Sequence, residues 1–147
     1  MSFQFRFEKI LTMKEKEKES ALNEMNVARK TKELAEQQLL QLVNRKESYL
    51  RDYQTSMRTS LTVTEIQERE QYLLFLNKQI ERERTKVENL TRELALKNQL
   101  LLAKNQEEKM WSTWRDKSYD AYAENLKREE QSVLDEMAVI RYFHNKN

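Results

Sequence analysis

The sequence predicts an all-α protein: a long antiparallel two-helix coiled-coil hairpin, with the second helix overhanging the first. The 147-residue chain contains no glycine and no proline, although average proteins hold about 7% and about 5% of them. Because these residues make tight turns and end helices, sandwiches, barrels and doubly wound sheets are not expected. A charged fraction of 35%, with 27 basic and 25 acidic residues, is typical of long solvated helices.

A heptad stripe identifies the first helix, which we place at about 3–58. Alternating steps of four and three residues from Phe7 reach mostly apolar or aromatic side chains, which is the period of a coiled-coil seam. The stripe consists of Phe7, Leu11, Lys14, Lys18, Ala21, Met25, Ala28, Lys32, Ala35, Leu39, Leu42, Lys46, Tyr49 and Tyr53.

The single break in the helical pattern is a segment rich in Ser and Thr, which we interpret as a turn at about 59–63. Hydroxyl side chains compete with helical backbone hydrogen bonding and favour helix caps. Thr62 followed by Glu65, and Thr64 followed by Gln67, both have the spacing of a capping box. The second helix therefore starts close to this segment.

The second helix fills the rest of the chain, at about 64–145, so that residues 1–147 are expected to form a single coiled-coil domain. Its stripe slips in register near Trp111. The stripe consists of Ile66, Leu73, Leu76, Ile80, Val87, Leu90, Leu94, Leu101 and Trp111, then Tyr119, Tyr122, Leu126, Val133, Met137 and Ile140.

The turn also predicts how the two helices pair. A short connection makes them antiparallel neighbours, and folding at the turn pairs residues whose numbers sum to roughly 122. Lys14 would then meet Glu108, and Lys18 would approach Lys104 unfavourably. Residues after about Tyr122 have no partner on the first helix.

Catalytic, metal and nucleotide sites are not recognisable in the sequence. There is no Cys, and His144 is the single His, so triads and His- or Cys-based metal sites are absent. Phosphate-binding loops need glycine, and a net charge of +2 lacks the basic excess of nucleic-acid-binding proteins. We expect no enzyme activity, cofactor, metal, nucleic acid or small-molecule substrate, and neither a signal peptide nor a membrane-spanning helix.

Two regions carry more apolar surface than a two-helix seam can cover. Near the bend, five consecutive large apolar residues, 72–76, must surround most of a helix. Exposed apolar patches mark partner sites, although self-association or a locally wider core would also explain this one.

The other region is the end that holds both termini. An amphipathic helix without an internal partner indicates docking into a groove or ring of another protein. A homodimer seam is the alternative, and we expect a monomer when the chain is free. The apolar residues here are Phe3, Phe5, Phe7, Ile10, Leu11, Trp111, Trp114, Tyr119, Tyr122, Leu126, Val133, Met137, Ile140 and Phe143.

Several segments resemble a known family. The start Phe5–Leu11, followed by alternating Glu and Lys, is similar to the opening of the bacterial flagellar export protein FliJ. The block Glu36–Val43, then Tyr49, and the block Tyr72–Ile80 are similar as well. Chain length, two-helix layout and bend position agree, so the resemblance covers nearly the whole chain.

The resemblance implies a non-enzymatic central stalk and adaptor of the flagellar type III protein export apparatus, acting in flagellum biogenesis and motility. FliJ-like proteins are antiparallel coiled coils similar to the stalk of rotary ATPases. The end with both termini would enter the hexameric export ATPase and promote its assembly and activity. The ATPase-binding residues would be Phe5, Phe7, Ile10, Leu11, Trp111, Tyr122, Leu126, Val133, Met137 and Ile140.

A surface near the bend would contact the export gate membrane protein, and the family also handles export chaperones. The gate-binding residues would be Gln38, Leu42, Tyr49, Tyr72 and Leu76. Three neighbouring positions, Arg45, Gln79 and Glu83, depart from the family pattern, in which an aromatic residue and a small residue are typical at the first two and a His can occur at the third. The implied location is cytoplasmic, peripherally associated with the cytoplasmic face of the cell membrane at the flagellar base.

Two other functions remain open. A prefoldin-like holdase chaperone would use the exposed apolar ends to capture unfolded proteins, and would suppress aggregation of unrelated proteins. A self-associating structural coiled coil would use the C-terminal stripe for itself, and would not stay monomeric.

Overall fold

The computed structural model describes residues 2–146 and contains two helices, α1 (Glu8–Met57) and α2 (Val63–Lys146). They pack against each other as an all-α hairpin, with no strand among the described residues. The predicted fold class is therefore confirmed. The described residues form two compact units: the bend unit, 20–101, and the terminal unit, 2–19 with 102–146.

The segment before α1 is not helical, so the expectation of a helix from about residue 3 is corrected. Phe3, Phe5 and Phe7 are half-buried, whereas the residues between them are exposed. This two-residue alternation is the period of an extended chain, and it differs from the heptad period on which the prediction of helix 1 depended. The amide of Glu8 donates to the Phe5 carbonyl at 3.2 Å, and that of Leu11 donates to the Phe7 carbonyl at 3.0 Å.

The turn between the helices is capped by side chains in place of glycine. The hydroxyl of Thr59 donates to the Ser56 carbonyl at 2.8 Å, at the end of α1. The amide of Thr62 donates to Glu65 Oε2 at 3.4 Å, and the amide of Glu65 donates to Thr62 Oγ1 at 3.2 Å. This reciprocal pair is a capping box, the first of the two that the sequence offers. Between the caps, Ser60 has a backbone φ of 158°.

Apolar side chains form most of the seam of the bend unit. Every stripe position from Ala21 to Tyr53 on α1, and from Ile66 to Leu101 on α2, is buried or half-buried, which confirms the heptad prediction here. The buried members are Ala21, Ala28, Ala35, Tyr53, Leu76 and Ile80. Burial of such a stripe is the main force that pairs two helices.

Ion pairs form much of the seam of the terminal unit. Leu11 is its buried apolar side chain. The ammonium of Lys14 donates to Glu107 Oε2 at 3.1 Å, and that of Lys104 donates to Glu17 Oε2 at 3.2 Å. A lysine of each helix thus reaches a carboxylate on the other helix.

These contacts follow the predicted register, with two corrections in the choice of partner. Lys14 contacts Glu107 rather than Glu108, and Glu108 instead lies 3.6 Å from the ammonium of Lys18. Lys18 and Lys104, whose approach was expected to be unfavourable, each have a carboxylate of the other helix within ion-pair distance. Because the lysine side chain is long and flexible, its ammonium can reach either of two adjacent carboxylates.

Candidate partner-binding surfaces

An aromatic cluster joins the N-terminal segment to α2 in the terminal unit. The ring of Phe7 lies 4.9 Å from that of Trp114 and 5.7 Å from that of Trp111, and the Phe3 ring lies 5.4 Å from Tyr119. These tilted and edge-to-face pairs are the arrangements that aromatic rings prefer. We call Phe3, Phe5 and Phe7 the clasp, and Trp111, Trp114, Tyr119 and Tyr122 the aromatic track.

Beyond the aromatic track, α2 continues without cover, as the sequence predicts. We call residues 124–146 the overhang, and each of them is exposed. Four of the predicted ATPase-binding residues lie here, with these exposed fractions: Leu126 43%, Val133 51%, Met137 54% and Ile140 66%. Side chains of this size are normally covered in a folded protein, so the overhang has the character of a partner surface.

Apolar side chains surround the last turns of the overhang. Successive residues of a helix lie about 100° apart, so the exposed side chains of Val133, Leu134, Val139 and Tyr142 point in four directions. Charged residues such as Asp135 and Arg141 lie between them, so a partner that covers all the apolar side chains contacts the helix from several sides. The sequence prediction did not include Leu134, Val139 and Tyr142, because these residues lie outside the heptad stripe.

The other predicted ATPase-binding residues lie in the clasp, the track and the seam. The side chains of Phe5, Phe7, Ile10, Trp111 and Tyr122 are half-buried. Leu11 is 0% exposed, so it would act through the fold of the seam rather than by direct contact. The structure therefore separates the predicted set into covered residues and the exposed residues of the overhang.

Two ion-paired groups of the terminal unit, Lys14 and Glu17, have pKa values shifted toward their charged forms. The hydrogen bond to Glu107 raises the pKa of Lys14, and partial burial opposes this rise. The hydrogen bond from Lys104 lowers the pKa of Glu17, again against the effect of burial. Both shifts favour the ion-paired state at neutral pH.

The predicted gate-binding residues lie on one flank and in the seam of the bend unit. The rings of Tyr49 and Tyr72, one from each helix, lie 4.6 Å apart. Gln38 is exposed, Leu42 is half-buried and Leu76 is fully buried. Leu76 thus belongs to the core, and the other four residues contribute accessible surface.

A polar groove connects part of this set to the three positions that depart from the family pattern. Its lining consists of Gln38, Gln41, Leu42, Arg45, Gln79, Arg82 and Glu83. Within the described part of the chain, Glu83 Oε2 is buried and has no hydrogen-bond partner. Since a buried carboxylate oxygen without a donor is costly, the groove has unsatisfied hydrogen-bonding capacity.

Next to the turn, a small cluster fixes the aromatic residues of the bend unit. The guanidinium of Arg69 lies 5.8 Å from the ring centre of Tyr49 and 5.6 Å from that of Tyr53. The Tyr53 hydroxyl donates to Glu70 Oε1 at 3.2 Å. Burial, followed by this hydrogen bond, raises the pKa of Tyr53, which keeps the phenol protonated.

Two kinds of site are absent from residues 2–146. These residues hold no group of three His, Asp or Glu side chains placed to bind a metal ion. None of their helices has the length and hydrophobicity needed to cross a membrane.

The family model described as "Flagellar FliJ protein" matches residues 3–147. This chain belongs to the FliJ family. The Flagellar FliJ protein of Bacillus subtilis (strain 168) is 25% identical over 142 residues, which is 97% of each chain. No solved structure gave a significant match. As a member of the FliJ family, the chain is a component of the flagellar protein export apparatus.

Proposed function

We propose that this chain is a non-enzymatic central stalk and adaptor of the export apparatus, acting on the hexameric export ATPase. The observation that carries the proposal is the overhang: a continuous exposed helix from 124 to 146, with exposed apolar side chains on several sides of its last turns. Such a helix suits a partner that encloses it, as a ring of subunits does. A groove or a second copy would cover only one of its faces.

Enclosure also explains how the chain would act on the ATPase. A ligand shifts an equilibrium only by binding one state better than another. An overhang that contacts several subunits at once binds the assembled ring better than a separate subunit, and so favours the hexamer. Leu126, Val133, Met137 and Ile140 would make direct contacts in the ring.

The adaptor role rests on the flank of the bend unit. We propose that the polar groove, with Gln38 and Leu42, and the Tyr49–Tyr72 pair contact the export gate membrane protein. This would hold the chain in the cytoplasm, at the membrane face of the flagellar base. Contacts with export chaperones would use the exposed apolar residues of the same unit, such as Leu74 and Phe75, which are 56% and 54% exposed.

Adding the chain to its cognate ATPase tests the stalk role. We expect it to increase the hexamer fraction and the rate of ATP hydrolysis. The double variant Val133→Gln/Ile140→Gln should raise the concentration for half-maximal effect by about tenfold or more, because it removes two apolar contacts. The matched control, Glu129→Gln/Glu136→Gln, changes two exposed residues of the same helix and should behave as the wild type.

An unchanged assembly state and hydrolysis rate with the wild-type chain would contradict the stalk role. Suppression of the aggregation of unrelated unfolded proteins would instead support the holdase. Light scattering that shows oligomers growing with concentration would support a self-associating coiled coil.

A further inference from the structure

Three residues of the aromatic track, Trp111, Tyr119 and Tyr122, belong to the same stripe of α2 as the overhang, and the clasp packs only on this first part of the stripe. The stripe passes through Trp111, Tyr119 and Tyr122 before it reaches Leu126 and the exposed residues beyond. A partner that binds the overhang and continues along the same stripe therefore meets the clasp.

The contacts between clasp and track are suited to release. Phe3 lies 5.4 Å from Tyr119 and 5.5 Å from Tyr122, and Phe5 lies 6.4 Å from Trp114, all measured between ring centres. Phe3 and Phe5 precede the first residue of α1, so moving their rings unwinds no turn of that helix. Local opening of such a terminal segment needs much less free energy than global unfolding.

We propose that the aromatic track is a second part of the surface that the export ATPase contacts, and that the clasp occupies it until the ring displaces the clasp. This inference rests on the proposed stalk function. The clasp shows which chemistry the track accepts, namely large apolar and aromatic side chains. An internal occupant also lowers the apparent affinity, because only molecules with an open track can make the full contact.

The chain provides its own reporter for the state of the clasp. Its two tryptophans, Trp111 and Trp114, both lie on the track. The variant Phe3→Ser/Phe5→Ser should therefore increase the quenching of intrinsic fluorescence by acrylamide in the free chain. The matched control, Ser2→Ala/Gln4→Ala, changes two exposed residues of the same segment and should leave the quenching unchanged.

Binding is measured on the full chain with the cognate ATPase. Because the chain has no cysteine, a dye can be attached to a single cysteine introduced at exposed Asn98, in the bend unit, and fluorescence anisotropy followed during titration. If Phe3 and Phe5 are released from the track in about a tenth of the molecules, replacing both should tighten binding by about tenfold. The control variant should bind as the wild type does.

Failure of this inference and failure of the proposed function give different binding results. If the wild-type chain binds the ATPase and the clasp variant binds equally well or more weakly, the clasp is not a competitor and this inference is wrong. If the wild-type chain does not bind at all, the proposed function itself fails. Circular dichroism checks that the helices are intact, and a chain in which residues 2–5 are deleted repeats the test without adding polar side chains.

Discussion

The heptad stripe of α1 runs through both the bend unit and the terminal unit, but the two units are held together by different interactions. The bend unit buries a run of alanine, leucine and isoleucine side chains, whereas Leu11 is the fully covered apolar residue of the terminal unit. Lysine–glutamate pairs and aromatic rings take the place of an apolar seam there. Heptad spacing therefore determines which residues face each other across the seam, whereas residue type determines how strongly the two helices are held together.

This difference matches the proposed division of labour. Apolar burial does not depend on charge screening, so the bend unit should keep its structure in high salt. Exposed ion pairs each contribute little and weaken as salt rises. The terminal unit, which carries the overhang and the clasp, is therefore the part that is easier to rearrange around a partner.

The largest expected effect comes from the core of the bend unit. Leu76 is 0% exposed, and Leu76→Ala should lower the free energy of unfolding by about 2–5 kcal/mol, through lost burial and the cavity left behind. Thermal unfolding followed by circular dichroism measures the loss. Leu74→Ala, at a position 56% exposed, is the control and should cost much less; equal losses would contradict the distinction between seam and surface.

A smaller effect is expected at the cap of α2. Thr62→Ala removes the hydroxyl that accepts from the Glu65 amide, and should cost about 0.5–2 kcal/mol. Urea unfolding gives this value. Thr64→Ala removes a neighbouring hydroxyl without breaking the capping box, so a similar cost for both variants would overturn the assignment of Thr62 as the cap.

The smallest effect is expected in the pH dependence of the stability of the terminal unit. Glu17 has a pKa below its ordinary value of 4.5 because of its hydrogen bond from Lys104. Its contribution to stability is therefore present above pH 4.5, and is lost as pH falls through the lower pKa of the folded state. Glu17→Gln should flatten the fall in midpoint temperature on acidification, read from the tryptophan fluorescence of the terminal unit. Glu15→Gln is the exposed control, and an equal flattening by it would contradict the role of the pair.

Much of the fold could be predicted because it depends on local rules. The stripe of helix 1, the capping spacing of Thr62 and Glu65, and the antiparallel register follow from periodicity and turn chemistry. The start of α1 could not be found in this way, because Phe7 satisfies both a heptad and a two-residue alternation. The structure decides for the alternation, since Phe3 and Phe5 pack on the aromatic residues of α2.

The candidate site was predictable only where it extends past the partner helix. The exposed overhang follows from counting residues after about Tyr122. The partners of Lys14 and Lys18 could not be read from the sequence, because adjacent carboxylates on α2 are both within reach of a lysine stem. The apolar residues off the stripe, such as Leu134 and Val139, are recognisable only when the whole circumference of the helix is considered.

Hydrogen–deuterium exchange with and without the cognate ATPase shows whether the ATPase covers the overhang. In the free chain, amides of residues 124–146 should exchange faster than those of the bend unit, because a helix without a packing partner is marginal in water. Adding the ATPase should slow exchange in 124–146 and leave 20–101 unchanged. Protection that appears in 20–101, with none in 124–146, would contradict the proposed stalk role of the overhang.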